Sequence, residues 1–201
     1  MTSLLFYTAS DEAMVVMDSL VANREGETLR HIRKASPYPG ALLIIAGTGL
    51  EELFLRWTRL VNEEGSTFDV DLIDAHTPQI LQGLWAEIER EVISLVDHTA
   101  TIYHFGFSRE DGTIHGFKYH SEEGFASQPL AYGLGVKPQL ADSQGIDLSS
   151  FPRCAIQIME AQMLQEHSSP TSTLRIGGEV WGWHLTRDGI TEWKLGELDQ
   201  A

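Results

Sequence analysis

Directly behind the initiator methionine stands Thr2, at the head of the apolar run "TSLLFYT", and a second run, "AMVVMD", ends on Asp18. Residues Thr2 to Thr8 and Ala13 to Asp18 have the aromatic and β-branched composition of strands, and the polar segment Ala9-Ser10-Asp11-Glu12 between them reads as the turn of a hairpin. A three-residue turn over Ala9, Ser10 and Asp11 pairs Phe6 with Met14, Leu4 with Val16 and Thr2 with Asp18. Directly opposed side chains have Cβ atoms about 4.5 to 5.5 Å apart, so a carboxylate is expected beside a threonine. Removal of Met1 is expected because the next residue is small. It would leave Thr2 with a free α-amino group of ordinary pKa about 7.7 to 8.0, able to act as a base near neutral pH. The plain alternative is a harmless small residue at the start of a chain.

Other residue types that could carry chemistry are less well placed. His104, His115 and His120 fall on one hairpin, but none has the i, i+4 spacing of a zinc helix and no cysteine pair joins them, so half-buried or exposed strand histidines are expected and no metal. Arg30, His31 and Arg33 flank Lys34 as either a solvated basic strand or an anion site. The "GTG" of Gly47 to Gly49 lacks the longer phosphate-loop pattern, and no cofactor is expected. Trp181 and Trp183 alternate with Gly182 and should pack one face of a sheet. Cys154 reads as a small apolar residue early in a helix, without the basic neighbour a reactive thiol needs.

With 201 residues the chain suits one well-buried core, and a single domain over 1–201 is expected. Fourteen basic against 29 acidic side chains leave a formal charge of −15, which would repel phosphate backbones and anionic lipid; nucleic acid and membrane surfaces are not expected partners. One cysteine, no basic leader followed by an apolar segment, and no run of about 18 apolar residues point to a soluble cytoplasmic protein.

The elements that would hold these residues follow from periodicity. Both faces of the first hairpin are apolar, which places it centrally in a sheet covered on both sides. After the polar stretch "ANREGETLRHIRKASPYPG", the run "ALLIIAG" fits a buried strand, and Leu50, Leu53, Phe54, Trp57, Leu60 and Val61 repeat at helical spacing. Thr77-Pro78 offers an N-cap and first-turn proline to a second helix with the stripe Ile80, Leu81, Leu84, Trp85, Ile88 and Val92. A second hairpin turns through Asp111-Gly112, "PLAYGLG" makes a short strand, a third helix spans Pro152 to about Gln165, and a last hairpin turns at Asp188-Gly189. Largely antiparallel sheets covered by helices predict an α+β fold, a four-layer α-β-β-α sandwich.

The first 50 residues resemble the proteasome β subunits and their bacterial ring-forming relatives, threonine peptidases of the N-terminal-nucleophile class. In that family the nucleophile heads the mature chain, an Asp follows sixteen residues later and a Lys thirty-two residues later; counted from Thr2, these are Asp18 and Lys34. "MDS" resembles the family's Asp-Ser pair, "IIAGTGLEEL" its glycines entering the first helix, and "IGGEVWGWHL" one of its late strands. The resemblance implies an Ntn-hydrolase-like sandwich in which Thr2 is the nucleophile and its amine the base. Lys34 would stabilise the alkoxide and lower the amine's pKa, Asp18 would orient Lys34, and the Gly47 N–H would serve the oxyanion. It also implies amide or peptide hydrolysis through an acyl-threonine, and a homo-oligomer that could close into a ring.

Four positions depart from the family pattern. Leu134 stands where a serine is common, Thr173 where an aspartate is, Ile176 where a further serine is, and Ala22 replaces a threonine that contacts substrate backbone. Leu134 and Ile176 can neither donate nor accept a hydrogen bond. The competing expectation is therefore a catalytically silent fold of the same type, used as a binding or assembly module.

Overall fold

The structure is a computed structural model that describes residues 2–23, 27–64, 69–91, 95–142, 145–167 and 175–198. Met1, Val92 and Thr173, on which expectations above rest, lie outside the described residues. Strands β1 (Leu4–Thr8) and β2 (Ala13–Asp18) form the expected hairpin, flanked by β10 (Gly133–Lys137) on one side and β11 (Gly178–Thr186) and β12 (Gly189–Leu198) on the other. A second five-stranded sheet runs β5 (Ala35–Tyr38), β6 (Leu43–Gly49), β7 (Ala100–Phe107), β8 (Ile114–His120) and β9 (Gln128–Pro129). All pairings in both sheets are antiparallel.

The regular four-layer sandwich expected from periodicity is corrected by a third sheet. Leu20–Ala22 (β3) runs into the stretch that reads as polar loop and Thr28–His31 (β4) lies within it, and among the described residues the two pair with each other alone. All four residues of β4 are exposed, so no alternation of buried and polar residues announces it. Helical cover is also unequal. Helices α1 (Glu51–Glu64) and α2 (Val70–Glu91) pack on the β5–β9 sheet through Leu53, Trp57, Ile73 and Leu81, whereas among the described residues the other sheet is covered by α3 (Ala155–His167), against Leu5, Val16 and Val180. Between the sheets a third apolar cluster joins Leu4, Val15 and Trp183 to Ile44, Ala46 and Phe105. Trp181 packs on that same cluster, as expected for a face shared with Trp183.

The first hairpin differs from expectation by one residue. Its loop holds four residues, closed by the Ala9 N–H donating to the Glu12 carbonyl at 2.9 Å, and Leu4 lies opposite Met17 rather than Val16. A one-residue slip exchanges the two faces of a strand relative to its partner, so Ser3, not Thr2, comes level with Asp18. Helix α2 starts earlier than the Thr77-Pro78 signal implies. Asp69 caps it, accepting from the Leu72 N–H at 2.8 Å, and Thr77 is buried within it, its hydroxyl donating to the Ile73 carbonyl at 2.6 Å. Pro78 is therefore interior, and the apolar spacing Val70, Ile73, Thr77, Leu81 carries the helix across it. No helix among the described residues is long and apolar enough to cross a membrane.

His104, expected at a surface or half-buried, is fully buried where α1 crosses β7. The Trp57 indole is a donor only, so His104 Nε2 accepts from Trp57 Nε1 at 3.0 Å and its proton sits on Nδ1, which faces Tyr119 Oη at 3.2 Å. Tyr119 Oη in turn donates to Asp74 at 2.7 Å. Burial pushes the His104 pKa down to about 3. The unfolded chain, with an ordinary histidine near 6.5, therefore binds a proton that the folded chain refuses, so stability is full above pH 6.5 and falls as pH drops from there toward 3. Urea unfolding at pH 7 and pH 5 checks this. The stability lost between the two is expected to be ~2 kcal/mol smaller in a His104→Gln variant than in the wild type.

Candidate functional site

The end of β2 delivers Asp18 into an environment with almost no water; the residue is 1% exposed. Four donors from separate segments converge on its carboxylate. The Ser3 N–H reaches Oδ1 at 2.9 Å, while Oδ2 receives Lys34 Nζ at 2.9 Å, the Gly177 N–H at 3.2 Å and the Leu20 N–H at 3.3 Å. Lys34, 4% exposed, enters from the residue before β5, so the ion pair joins the two five-stranded sheets. Burial pushes the Lys34 pKa down, opposed by the charge of Asp18, its hydrogen bond and, more weakly, Glu51.

Thr2 is 8% exposed and shares with Lys34 the wall of a small open cleft of about 50 Å³, whose other walls include Ala22, Gly47, Thr48, Leu50 and Glu51. Thr2 thus sits beside Lys34 but is not the ladder partner of Asp18. That position belongs to Ser3, whose hydroxyl is turned to α3 and donates to Gln162 Oε1 at 2.6 Å. Ser3 and the wholly buried Gln162 are polar residues that the sequence reading passed over. The adjacency of Ser3 to Thr2 was the available signal, lost with the one-residue error in register.

Gly47 does not present its N–H to the cleft. That group donates to the carbonyl of Lys34 at 3.0 Å, continuing the β5–β6 ladder, so the expected oxyanion donor is already engaged. The glycine has a different physical reason: a Cβ there would lie 2.6 Å from the Phe54 ring, and α1 could not approach β6. Gly178 is required on both counts, with φ of +73° and a virtual Cβ 2.4 Å from the His31 ring.

The basic residues around Lys34 are engaged one by one rather than gathered into an anion site. Arg30 pairs with Glu51 at 2.7 Å, Arg33 pairs with Glu192 at 2.9 Å and lies over the Trp181 ring, and His31 Nδ1 is 3.2 Å from Ser19 Oγ. Among the four departures, Leu134 is half-buried in β10, Ile176 is buried against α3, and Ala22 lines the cleft at the end of β3. His115 lies between Asp71, at 2.7 Å, and Asp111, at 3.2 Å, far in sequence from these elements. Among the described residues no group of three or more His, Cys, Asp or Glu is arranged to hold a metal ion.

Removing one partner of a buried pair leaves the other charged and unsatisfied, at about 3–5 kcal/mol. The two partners are not equivalent, because Asp18 retains three backbone donors when Lys34 is lost, whereas Lys34 loses its closest counter-charge when Asp18 is lost. Asp18→Asn is expected to destabilise the fold by about that amount and Lys34→Met by clearly less. Urea denaturation of the two variants measures the difference.

No protein-family model matches the chain, and no curated protein sequence does. Solved structures do share its fold. Anbu, an ancestral β-subunit, from Yersinia bercovieri superposes with a TM-score of 0.65 at 11% identity, covering 96% of this chain and 87% of its own. The Anbu complex from Pseudomonas aeruginosa, solved as a helical assembly, gives 0.68 at 13% identity over 98% and 88%. A Gly-1 mutant of Anbu from Hyphomicrobium sp. strain MC1 gives 0.68 at 10% identity over 98% and 88%. These findings correct the expected place among the N-terminal-nucleophile threonine hydrolases. The neighbours are proteasome-related ancestral β-subunits, and at such identities the likeness reaches the fold and not the reaction. The chain has a proteasome-like β-subunit fold.

Proposed function

We propose that this protein, after loss of Met1, is a threonine-type amidohydrolase or peptidase that works through an acyl-threonine. The observation that carries the reading is the placement of Thr2 and a buried Lys34 on one cleft, with Lys34 held by Asp18 at 2.9 Å. The Thr2 hydroxyl adds to the carbonyl carbon of an amide while its proton passes to the Thr2 amine. The amine then gives that proton to the departing nitrogen as the C–N bond breaks. Water enters by the same route in reverse, cleaves the ester and restores the hydroxyl. Lys34 lowers the cost of negative charge on the attacking oxygen, and its like charge keeps the terminal amine unprotonated near neutral pH. Asp18 fixes the ammonium and touches no reacting atom.

The substrate class in this reading is a peptide or small amide. The helical assembly belongs to the Pseudomonas Anbu complex, and self-association is carried to this chain as part of the proposal. The lone cysteine, buried Cys154, accords with a reducing compartment, and the cytoplasm is the proposed location.

A second reading is favoured by a specific observation. The Gly47 N–H is engaged by Lys34, and Leu134 and Ile176 offer no hydrogen bond, so part of the usual support for such a reaction is missing. In that reading the same fold is a non-catalytic binding or assembly module that retains Met1.

Hydrolysis of fluorogenic acyl-peptide amides separates the two. Thr2→Ala and Lys34→Ala are each expected to lower kcat/KM by at least about 1,000-fold. Unchanged turnover in either variant, or none in the wild type, decides for the module.

A further inference from the structure

With the Gly47 N–H engaged, the proposed acyl transfer loses the expected donor for the oxygen that becomes negative when Thr2 adds to a carbonyl. A carbonyl oxygen left without one would forfeit the largest electrostatic contribution that such reactions ordinarily use. Thr48 is the neighbouring residue on β6, and strand alternation turns it to the side opposite Gly47. That is the side of Ala46's neighbour Ile44 and the inter-sheet cluster, the side from which β1 presents Leu4 and, by the same alternation, Thr2. Thr48 is buried and lines the cleft together with Thr2 and Lys34.

What distinguishes Thr48 is the cation behind it. Lys137 lies opposite Leu4 in the β1–β10 ladder and sends its ammonium across to the second sheet, donating to Thr48 Oγ1 at 3.0 Å and to Thr101 Oγ1 at 2.7 Å, 5.7 Å from the Tyr103 ring centre. No carboxylate among the described residues is paired with it. An ammonium has only donors, so the Thr48 oxygen must accept and its single O–H must point away from Lys137. No acceptor for that hydrogen is present among the described residues, and the open side of Thr48 is the cleft. Holding an ammonium partly out of water on neutral partners costs free energy, and burial pushes the Lys137 pKa down to about 8, which still leaves it charged at pH 7.

We propose that Thr48, fixed and polarised by Lys137, donates the hydrogen bond to the developing oxyanion in the reaction proposed at Thr2. Thr48 is then a catalytic residue and Lys137 a positioning residue acting through it. An O–H whose oxygen already accepts from a cation is a stronger donor than a free hydroxyl, and one aimed before the substrate arrives costs no reorganisation during the reaction.

The inference rests on the acyl transfer at Thr2, and the test separates the two. The full-length protein is treated with a β-lactone, whose ring opens through a tetrahedral oxyanion and adds its whole mass to the attacking oxygen; the rate and position of the adduct are followed by mass spectrometry. Thr48→Val is expected to slow acylation of Thr2 by about 100-fold with the half-saturating lactone concentration within about twofold. Thr48→Ser should restore the rate to within about threefold, and Lys137→Met, which leaves the cleft wall intact, should slow it by about tenfold. Urea unfolding confirms that each variant is folded. A wild-type rate in Thr48→Val, or a Thr48→Ser as slow as the valine variant, removes Thr48 from the reaction. An unchanged rate in Lys137→Met removes the positioning role, and it does so even if Thr48→Val does not fold. If the wild type is not acylated at Thr2, the acyl-transfer reading falls and this inference falls with it.

Discussion

A single carboxylate holds the cleft together. Asp18 has almost no contact with water, and a charge so placed is tolerable only where hydrogen bonds replace its hydration. Its four donors come from the entry to β1, the entry to β3, the residue before β5 and the entry to β11. Each is a point where the chain passes into or out of a strand, and the carboxylate fixes their relative positions at one end of the molecule. Thr2 is carried by the first of these segments and Lys34 by the third, so the spacing between a hydroxyl and an ammonium across the cleft follows from how Asp18 is satisfied. The apolar cluster between the sheets determines that the two sheets pack; Asp18 determines how their ends align.

The electrostatics of this end oppose those of the whole chain. A protein of formal charge −15 places two lysines at one end of the inter-sheet space, Lys34 buried with a carboxylate and Lys137 half-buried with hydroxyls. Burial pushes the pKa of both down, and in a region of low effective dielectric each acts at short range more strongly than it would at the surface. Negative charge developing on an oxygen in the cleft would be drawn to that end. The remaining cations near the cleft do not add to this, since Arg30 and Arg33 are paired with Glu51 and Glu192 at the surface, where such pairs contribute little.

Much of this architecture is written in local pattern. The three long hairpins are legible from β-branched and aromatic runs bounded by turn residues, and α1 from the repeat of Leu53, Trp57 and Val61. Register is not so legible. A loop of four residues instead of three between β1 and β2 moves Ser3 to the place expected for Thr2, and composition does not distinguish the two loops. Thr77-Pro78 has the chemistry of a helix start, yet burial of Val70 and Ile73 outweighs one missing backbone hydrogen bond and extends α2 by two turns toward its N-terminus. Asp18 stands out from the hairpin alone, but its contact with Lys34 is legible only through resemblance, because two residues sixteen apart with a polar stretch between them announce no contact. Lys137 was invisible: a lone lysine in a strand reads as solvent-facing, and only the approach of the two sheets reveals that it spans between Thr48 and Thr101.

The proposed reaction requires the nitrogen next to the Thr2 hydroxyl to be a free amine. The most direct test is mass spectrometry of the amino-terminal peptide of the protein purified from its natural host. A peptide beginning at Thr2 with an unmodified amine is the expected result. A peptide that still begins at Met1, or a blocked Thr2, would contradict it and leave the fold without this reaction.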